Sequence, residues 1–162
     1  MIVFLNGEYM PAEAARISPF DRGFLFGDGI YEVTPSYEGK MVGFNLHLQR
    51  MKNGLREIGF TAEVFSDEQW YTLAEGLMSR NGRGNLGIYF QVSRGNEGRR
   101  FHGFPVDTPA TVFGMVIDID PHPPVANRAS KKGLKVAVAE DKRWRRCQVK
   151  STALLGNVLH FQ

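Results

Sequence analysis

The residue whose surroundings point most directly to chemistry is Lys150. Arg145 and Arg146 precede it and Ser151-Thr152 follow, so cations crowd an amine that stands just before a plausible helix start. Neighbouring positive charge disfavours an ammonium and leaves more free amine to attack an aldehyde. The same residues also describe a solvated lysine at a helix start, and spacing alone favours that description. A second set lies in Arg94-Gly95-Asn96-Glu97-Gly98-Arg99-Arg100-Phe101-His102-Gly103, a glycine-rich loop after a strand. If this loop is extended, Arg100 and His102 point the same way and converge on one anion. A basic surface loop is the plainer alternative. Tyr31 shares one side of its strand with Val33, opposite Glu32, where composition alone suggests a core residue. His47, His122 and His160 have no ligand-like spacing to Cys147 or to a carboxylate, so no metal site is expected.

Positioning these groups requires an ordered scaffold, and the sequence supplies signals for one. Ile2–Leu5, Asn6-Gly7 and Glu8–Met10 read as a β-hairpin, since Asn-Gly suits a type I′ turn. Ser18–Gly23 is a turn cluster, and Gly27 and Gly29 after it serve backbone geometry. A strand signal returns at Ile30–Thr34. Asn45 is a candidate cap for a helix bearing Leu48, Met51, Leu55 and Ile58 at spacings of three and four. Ser66 to Gln69 has the form of a capping box for a second helix, which Asn81-Gly82 ends. Strands are expected near Leu86–Ser93, Thr111–Ile117 and Leu134–Ala139, and a helix over Thr152–Phe161. Strands, then helices, then strands argue for an α+β class. Residues 1–120 form the expected N-terminal domain, and 121–127, with Pro121-His122-Pro123-Pro124, the linker. Residues 128–162 are then the start of a further domain.

With 162 residues, 43% hydrophobic and 23% charged, the chain has the composition of a globular protein with a core. No apolar run is long enough to span a bilayer, and the first residues lack the form of a secretion signal, so a cytoplasmic protein is expected. One cysteine excludes an internal disulfide. The net charge of +3 is a weak excess gathered around Arg94–Arg100 and Lys142–Arg146. It argues for small anionic ligands or a solvated edge over nucleic acid.

Two segments carry a family resemblance. Arg143 through Leu159, centred on Gln148-Val149-Lys150-Ser151-Thr152, resembles the lysine motif of the fold-type IV, or class IV, pyridoxal-phosphate-dependent aminotransferases. Phe20-Asp21-Arg22-Gly23-Phe24-Leu25-Phe26-Gly27-Asp28-Gly29-Ile30-Tyr31-Glu32-Val33 resembles the early signature of the same family. Their order and separation match too, and the resemblance lies nearest to the D-amino-acid branch. It implies a two-layer N-terminal α/β domain followed by the truncated start of a barrel-like C-terminal domain. Lys150 would carry pyridoxal 5′-phosphate as a Schiff base and move the substrate proton. Arg50 matches the phosphate-binding arginine, whose fork suits phosphate oxygens; otherwise it is a solvated cation on its helix.

By the same resemblance Arg100 and His102, with Tyr31, grip the substrate carboxylate. The pair comes across a homodimer interface, with Arg99 as a substitute for Arg100 in a loop one residue longer than the family pattern. Gln148, where relatives commonly have an acid, and Pro35, which needs a sheet edge or a bulge, depart from that pattern. The family's second domain holds the carboxylate that pairs with the pyridine nitrogen, and twelve residues after Lys150 cannot supply it. The expectation is therefore a fragment, inactive alone, of an enzyme passing the amine of a D-amino acid such as D-alanine to a 2-oxo acid. The alternatives are a branched-chain L-amino-acid aminotransferase, an aminodeoxychorismate lyase, or a non-catalytic module for dimerisation or ligand binding.

Overall fold

The computed structural model describes residues 1–61, 63–121, 133, 135–138, 140–141 and 145–161. Strands β1 (Ile2–Leu5) and β2 (Glu8–Pro11) form the expected hairpin. Asn6 and Gly7 both have positive φ, +49° and +104°, the signature of the type I′ turn that matches strand twist. A short helix α1 (Arg22–Phe26) follows, then β3 (Gly29–Tyr37), β4 (Lys40–Met41), helices α2 (Phe44–Glu57) and α3 (Asp67–Asn81), β5 (Leu86–Ser93), β6 (Thr111–Asp118) and α4 (Leu155–His160). The six strands form one sheet in the order β2-β1-β6-β5-β3-β4, with antiparallel pairings.

Helices α2 and α3 cover one face of this sheet, giving the expected two layers. Leu48, Met51 and Leu55 of α2 and Trp70, Leu73, Ala74, Leu77 and Met78 of α3 meet Ile30, Ile88, Phe90, Val92, Val112 and Val116 in the core. Along β3 burial alternates: Ile30, Glu32, Thr34 and Ser36 are buried under the helices, while Tyr31, Val33, Pro35 and Tyr37 are half-buried on the other face. The period of two fixes which side chains can reach a site on that face.

Some local expectations need correction. Helix α2 starts from Gly43, in the left-handed region at φ +65°, and Asn45 lies inside it. Burying Phe44 edge-on to Tyr71, with centroids 5.8 Å apart, brings the helix start forward. Helix α3 keeps its expected limits, with the Ser66–Gln69 capping box and Gly82 at its C-terminal end. Pro35 does not interrupt β3, whose register with β5 runs unbroken from Gly29↔Ser93 to Ser36↔Leu86. The Pro35 carbonyl accepts from Val42 N–H at 2.8 Å, so the face of Pro35 without an N–H looks towards the β4 edge, where no β5 ladder bond is lost.

The strand expected over Leu134–Ala139 is absent from its described part, 135–138. Val136 and Val138 are exposed there, and among the described residues this segment pairs with no strand of the sheet. The expected linker lies outside the described residues apart from Pro121. Among the described residues no helix is long and apolar enough to cross a membrane.

Candidate active site

Residues 149–152 lie against the sheet, and that contact creates the site. Val149 is buried in the core, and residues 150–152 lie along the open edge of β3 ahead of β4. Tyr31 N–H donates to the Lys150 carbonyl at 3.0 Å, and Thr152 N–H donates to the Gly29 carbonyl at 3.0 Å. The Thr152 hydroxyl donates to the Gly27 carbonyl at 3.1 Å. These bonds explain why α4 begins at Leu155 and not at Thr152: the preceding residues give their backbone to β3. Gly27, at φ +65°, is needed here on two counts, since a Cβ would also sit 2.8 Å from the Ala153 Cβ.

Lys150 is thereby fixed with its Nζ 4.0 Å from the centroid of the Tyr31 ring. The lysine, Tyr31 and Arg50 line one cavity of about 290 Å³, with Gln148, Ser151 and Asn157 also in its wall. Its size is at the small end of the range for ligand pockets, about 300 Å³ upwards. A shallower depression of about 550 Å³ shares Arg50 and Gln148 with it, so the cavity opens outwards past the arginine. An amine, a guanidinium and an aromatic wall suit an aldehyde that carries a phosphate, and the residues present therefore fit pyridoxal phosphate. Among the described residues no His/Cys/Asp/Glu group suited to a metal ion occurs.

Arg50 is held by a residue that the sequence reading did not place in the site. Glu32, 2% exposed, accepts from Arg50 Nε at 2.5 Å and from Nη2 at 2.8 Å, with His47 Nδ1 3.0 Å away. Burial pushes the Glu32 carboxyl up, but the hydrogen bonds from Arg50 and His47 outweigh it and hold it below the usual carboxylate range. Arg50 Nη1 is not used in this pair, and Arg50 is part of the cavity wall. The signal was present: strand alternation buries Glu32, a buried acid needs a partner, and His47 and Arg50 lie one turn apart on the facing helix.

Arg100 and His102 are elsewhere. Neither lines the Lys150 cavity of its own chain. They do converge, on the Phe26 ring, with the Arg100 guanidinium 5.3 Å and the His102 ring 5.1 Å from its centroid. Arg99 points to Glu97 instead, at 3.3 Å. A buried ionic network underlies this loop, with Arg22 and Arg94 both on Asp28 at 2.8 and 2.9 Å. Turn composition around Asp21 and Asp28 gave no hint of it. Of the two departures from the family pattern, Gln148 borders the cavity and Pro35 does not.

Comparisons with known proteins bear on the family and the fold. The family model "Amino-transferase class IV" matches residues 29–162. A D-alanine aminotransferase of Staphylococcus epidermidis is 37% identical over 157 residues, covering 97% of this chain and 54% of that protein. One of Listeria monocytogenes is 35% identical over 98% of this chain and 54% of its own. The chain thus spans about half the length of these curated relatives. A solved branched-chain aminotransferase of Thermoproteus uzoniensis, with norvaline, superposes at a TM-score of 0.72 over 98% of this chain and 54% of that one. At 18% identity that likeness concerns the fold, which is the fold-type IV N-terminal domain. The chain belongs to the class IV aminotransferases.

Proposed function

We propose that this chain contributes the lysine-bearing part of a pyridoxal-phosphate-dependent transaminase that passes the amine of a D-amino acid, of the D-alanine type, to a 2-oxo acid. The observation that carries the reading is the shared cavity: Lys150 and Arg50 face one space, with Tyr31 between strand and amine. Pyridoxal phosphate, when bound, supplies the aldehyde and the electron sink. Lys150 Nζ would hold the aldehyde carbon, with loss of water, and would then accept the proton from the substrate α-carbon, which requires the neutral amine. Arg50 offers its unused guanidinium edge to the phosphate while Glu32 keeps the fork from rotating. The Tyr31 ring covers the lysine and excludes water from that side.

Arg100 and His102 suit the substrate carboxylate, and Arg100 suits it better than Arg99, which Glu97 occupies. Since neither reaches the cavity of its own chain, a second copy has to provide them, so the working unit is a homodimer. The D-series preference is supported by the relatives at 35–37% identity, which are D-alanine aminotransferases. The match covers 54% of their length, so turnover is expected where the remaining half of such a protein is present and not from residues 1–162 alone.

The test is a donor scan on the chain joined to the remaining half of the Staphylococcus epidermidis relative. D-alanine should donate, and activity should vanish in Lys150→Ala. Robust turnover of L-leucine without D-alanine would reject the D-series reading. Borohydride trapping of pyridoxal phosphate, read by peptide mass, should mark Lys150; no label in the joined protein would favour a non-catalytic module.

A further inference from the structure

We infer that Arg22 is a positioning residue that holds the Arg100–His102 loop by its backbone, an assignment that rests on the carboxylate-binding role proposed for that pair. Arg22 is 3% exposed, which is exceptional for a guanidinium and calls for compensation on every side. Its Nε donates to Asp28 Oδ2 at 2.8 Å. Nη1 donates to the carbonyls of Phe101 at 2.6 Å and Gly103 at 3.1 Å and lies 2.9 Å from Glu97 Oε1, while Nη2 donates to the His102 carbonyl at 3.3 Å. Three consecutive carbonyls therefore turn inward to one cation. When residues 101–103 point their carbonyls inward, the neighbouring side chains have to point out.

The anchor is itself braced. Arg22 N–H donates to the Gly95 carbonyl at 2.8 Å, so backbone and side chain hold both ends of the loop. The Asp21 carboxylate caps α1 through Gly23 N–H at 2.8 Å and accepts from Ser93 and Thr111 hydroxyls at 2.7 and 2.6 Å, fixing the helix to the ends of β5 and β6. The Phe26 ring lies 5.0 Å from the Arg22 guanidinium and also receives Arg100 and His102. One short helix thus presents a cation for the loop backbone and an aromatic surface for the two outward side chains. Asp28 also pairs with Arg94 and Glu97 with the exposed Arg99, so a neutral residue at 22 would leave each carboxylate a single cationic partner and the three loop carbonyls without their donor. Lysine keeps the charge but lacks the planar fork that reaches several carbonyls at once.

Limited proteolysis of the 162-residue chain reads the anchoring. Trypsin cleaves after Arg99 and Arg100 in the loop, and cleavage after Lys40 on the far sheet edge serves as the internal measure of general opening. Arg22→Met should accelerate loop cleavage by about tenfold or more with the Lys40 rate unchanged, and Arg22→Lys should fall between, as expected for losing the hydrogen bonds to the Phe101, His102 and Gly103 carbonyls. Equal acceleration at both sites, or none in either variant, overturns the anchoring. In the chain joined to the second half of the Staphylococcus epidermidis relative, Arg22→Lys should raise KM for D-alanine several-fold and leave kcat and pyridoxal phosphate binding near their original values. Loss of kcat without a change in KM overturns the positioning role. Arg100→Ala separates the two readings: an unchanged KM there sinks the carboxylate role, whatever the proteolysis shows.

Discussion

Replacing Arg50 by alanine should destabilise the protein more than replacing Glu32 by glutamine, although both changes break the same ion pair. The asymmetry follows from exposure, since the Arg50 side chain is 52% exposed and that of Glu32 only 2%. When Glu32 becomes glutamine, Arg50 returns to water and keeps one amide oxygen as acceptor, so the cost is close to that of an exposed pair, about 1 kcal/mol. When Arg50 is removed, a buried carboxylate loses two charge-assisted hydrogen bonds and keeps only His47 and the Val33 N–H, at 3.0 and 3.3 Å. Breaking a fully buried pair from one side costs about 3–5 kcal/mol. Water entering through the space left by Arg50 reduces this to about 2–3 kcal/mol.

The pH dependence gives a second handle on the same pair. In the parent protein Glu32 is held below its ordinary value of 4.5, so its contribution is present above that pH and fades as pH falls through the folded value. In Arg50→Ala burial prevails and the folded value rises, which penalises the charged form at neutral pH. Acidification then relieves the penalty by protonating Glu32. The stability gap between parent and Arg50→Ala should narrow from pH 7 towards pH ~5. Urea unfolding followed by tryptophan fluorescence measures both effects. Equal costs for the two variants, or a gap that widens on acidification, would refute the view that Glu32 is a buried charge in need of Arg50.

Further outcomes follow from single contacts. Gly27→Ala meets Ala153 at 2.8 Å and forces alanine to φ +65°, so exchange of the Thr152 amide, which is bonded to Gly29, should accelerate as the lysine segment lifts. Slow exchange there would show that Gly27 is not needed for docking. The Tyr89 phenol is pushed up to about 12 by burial and the neighbouring Tyr31, from an ordinary 10.0. Between those values the unfolded chain loses the proton first, so stability falls with rising pH, and Tyr89→Phe should remove that slope in alkaline unfolding curves. Ser66→Ala deletes the capping box of α3 and should cost about 1 kcal/mol in thermal unfolding without affecting Lys150 trapping.

What the sequence disclosed and what it hid divide along physical lines. Elements governed by local signals were legible: the Asn6-Gly7 turn, the Ser66–Gln69 box, the apolar stripe of α2 and the alternation of β3 all rest on neighbours within a few residues. Lys150, Arg50 and Tyr31 were singled out through motif resemblance alone, and they line one cavity. The Glu32–Arg50–His47 cluster and the Arg22–Asp28–Arg94–Glu97 network were not foreseen. Their members lie up to 75 positions apart, as in Arg22 and Glu97, and no local pattern encodes such pairing. The strand expected at Leu134–Ala139 is not seen in its described part, 135–138, although its local signal was good.

The open edge of β3 explains how a lysine so far along the chain can be fixed with little packing of its own. Strand β4 joins β3 only from Ser36 onward, so the backbone groups of Gly29 and Tyr31 on that side need other partners. Residues 150–152 satisfy them, through Tyr31 N–H to the Lys150 carbonyl and Thr152 N–H to the Gly29 carbonyl. The position of Lys150 Cα is therefore set by main-chain bonds, and its side chain is left for chemistry. Alternation along β3 sends Tyr31 to the amine and Glu32, one residue on, beneath α2 to hold Arg50. Adjacent residues of one strand thus set the two walls of the cavity. Lys150→Ala should accordingly leave the Tyr31 and Thr152 amides as protected as before while abolishing pyridoxal phosphate trapping, and loss of that protection would show that the side chain, and not the backbone, holds the segment in place.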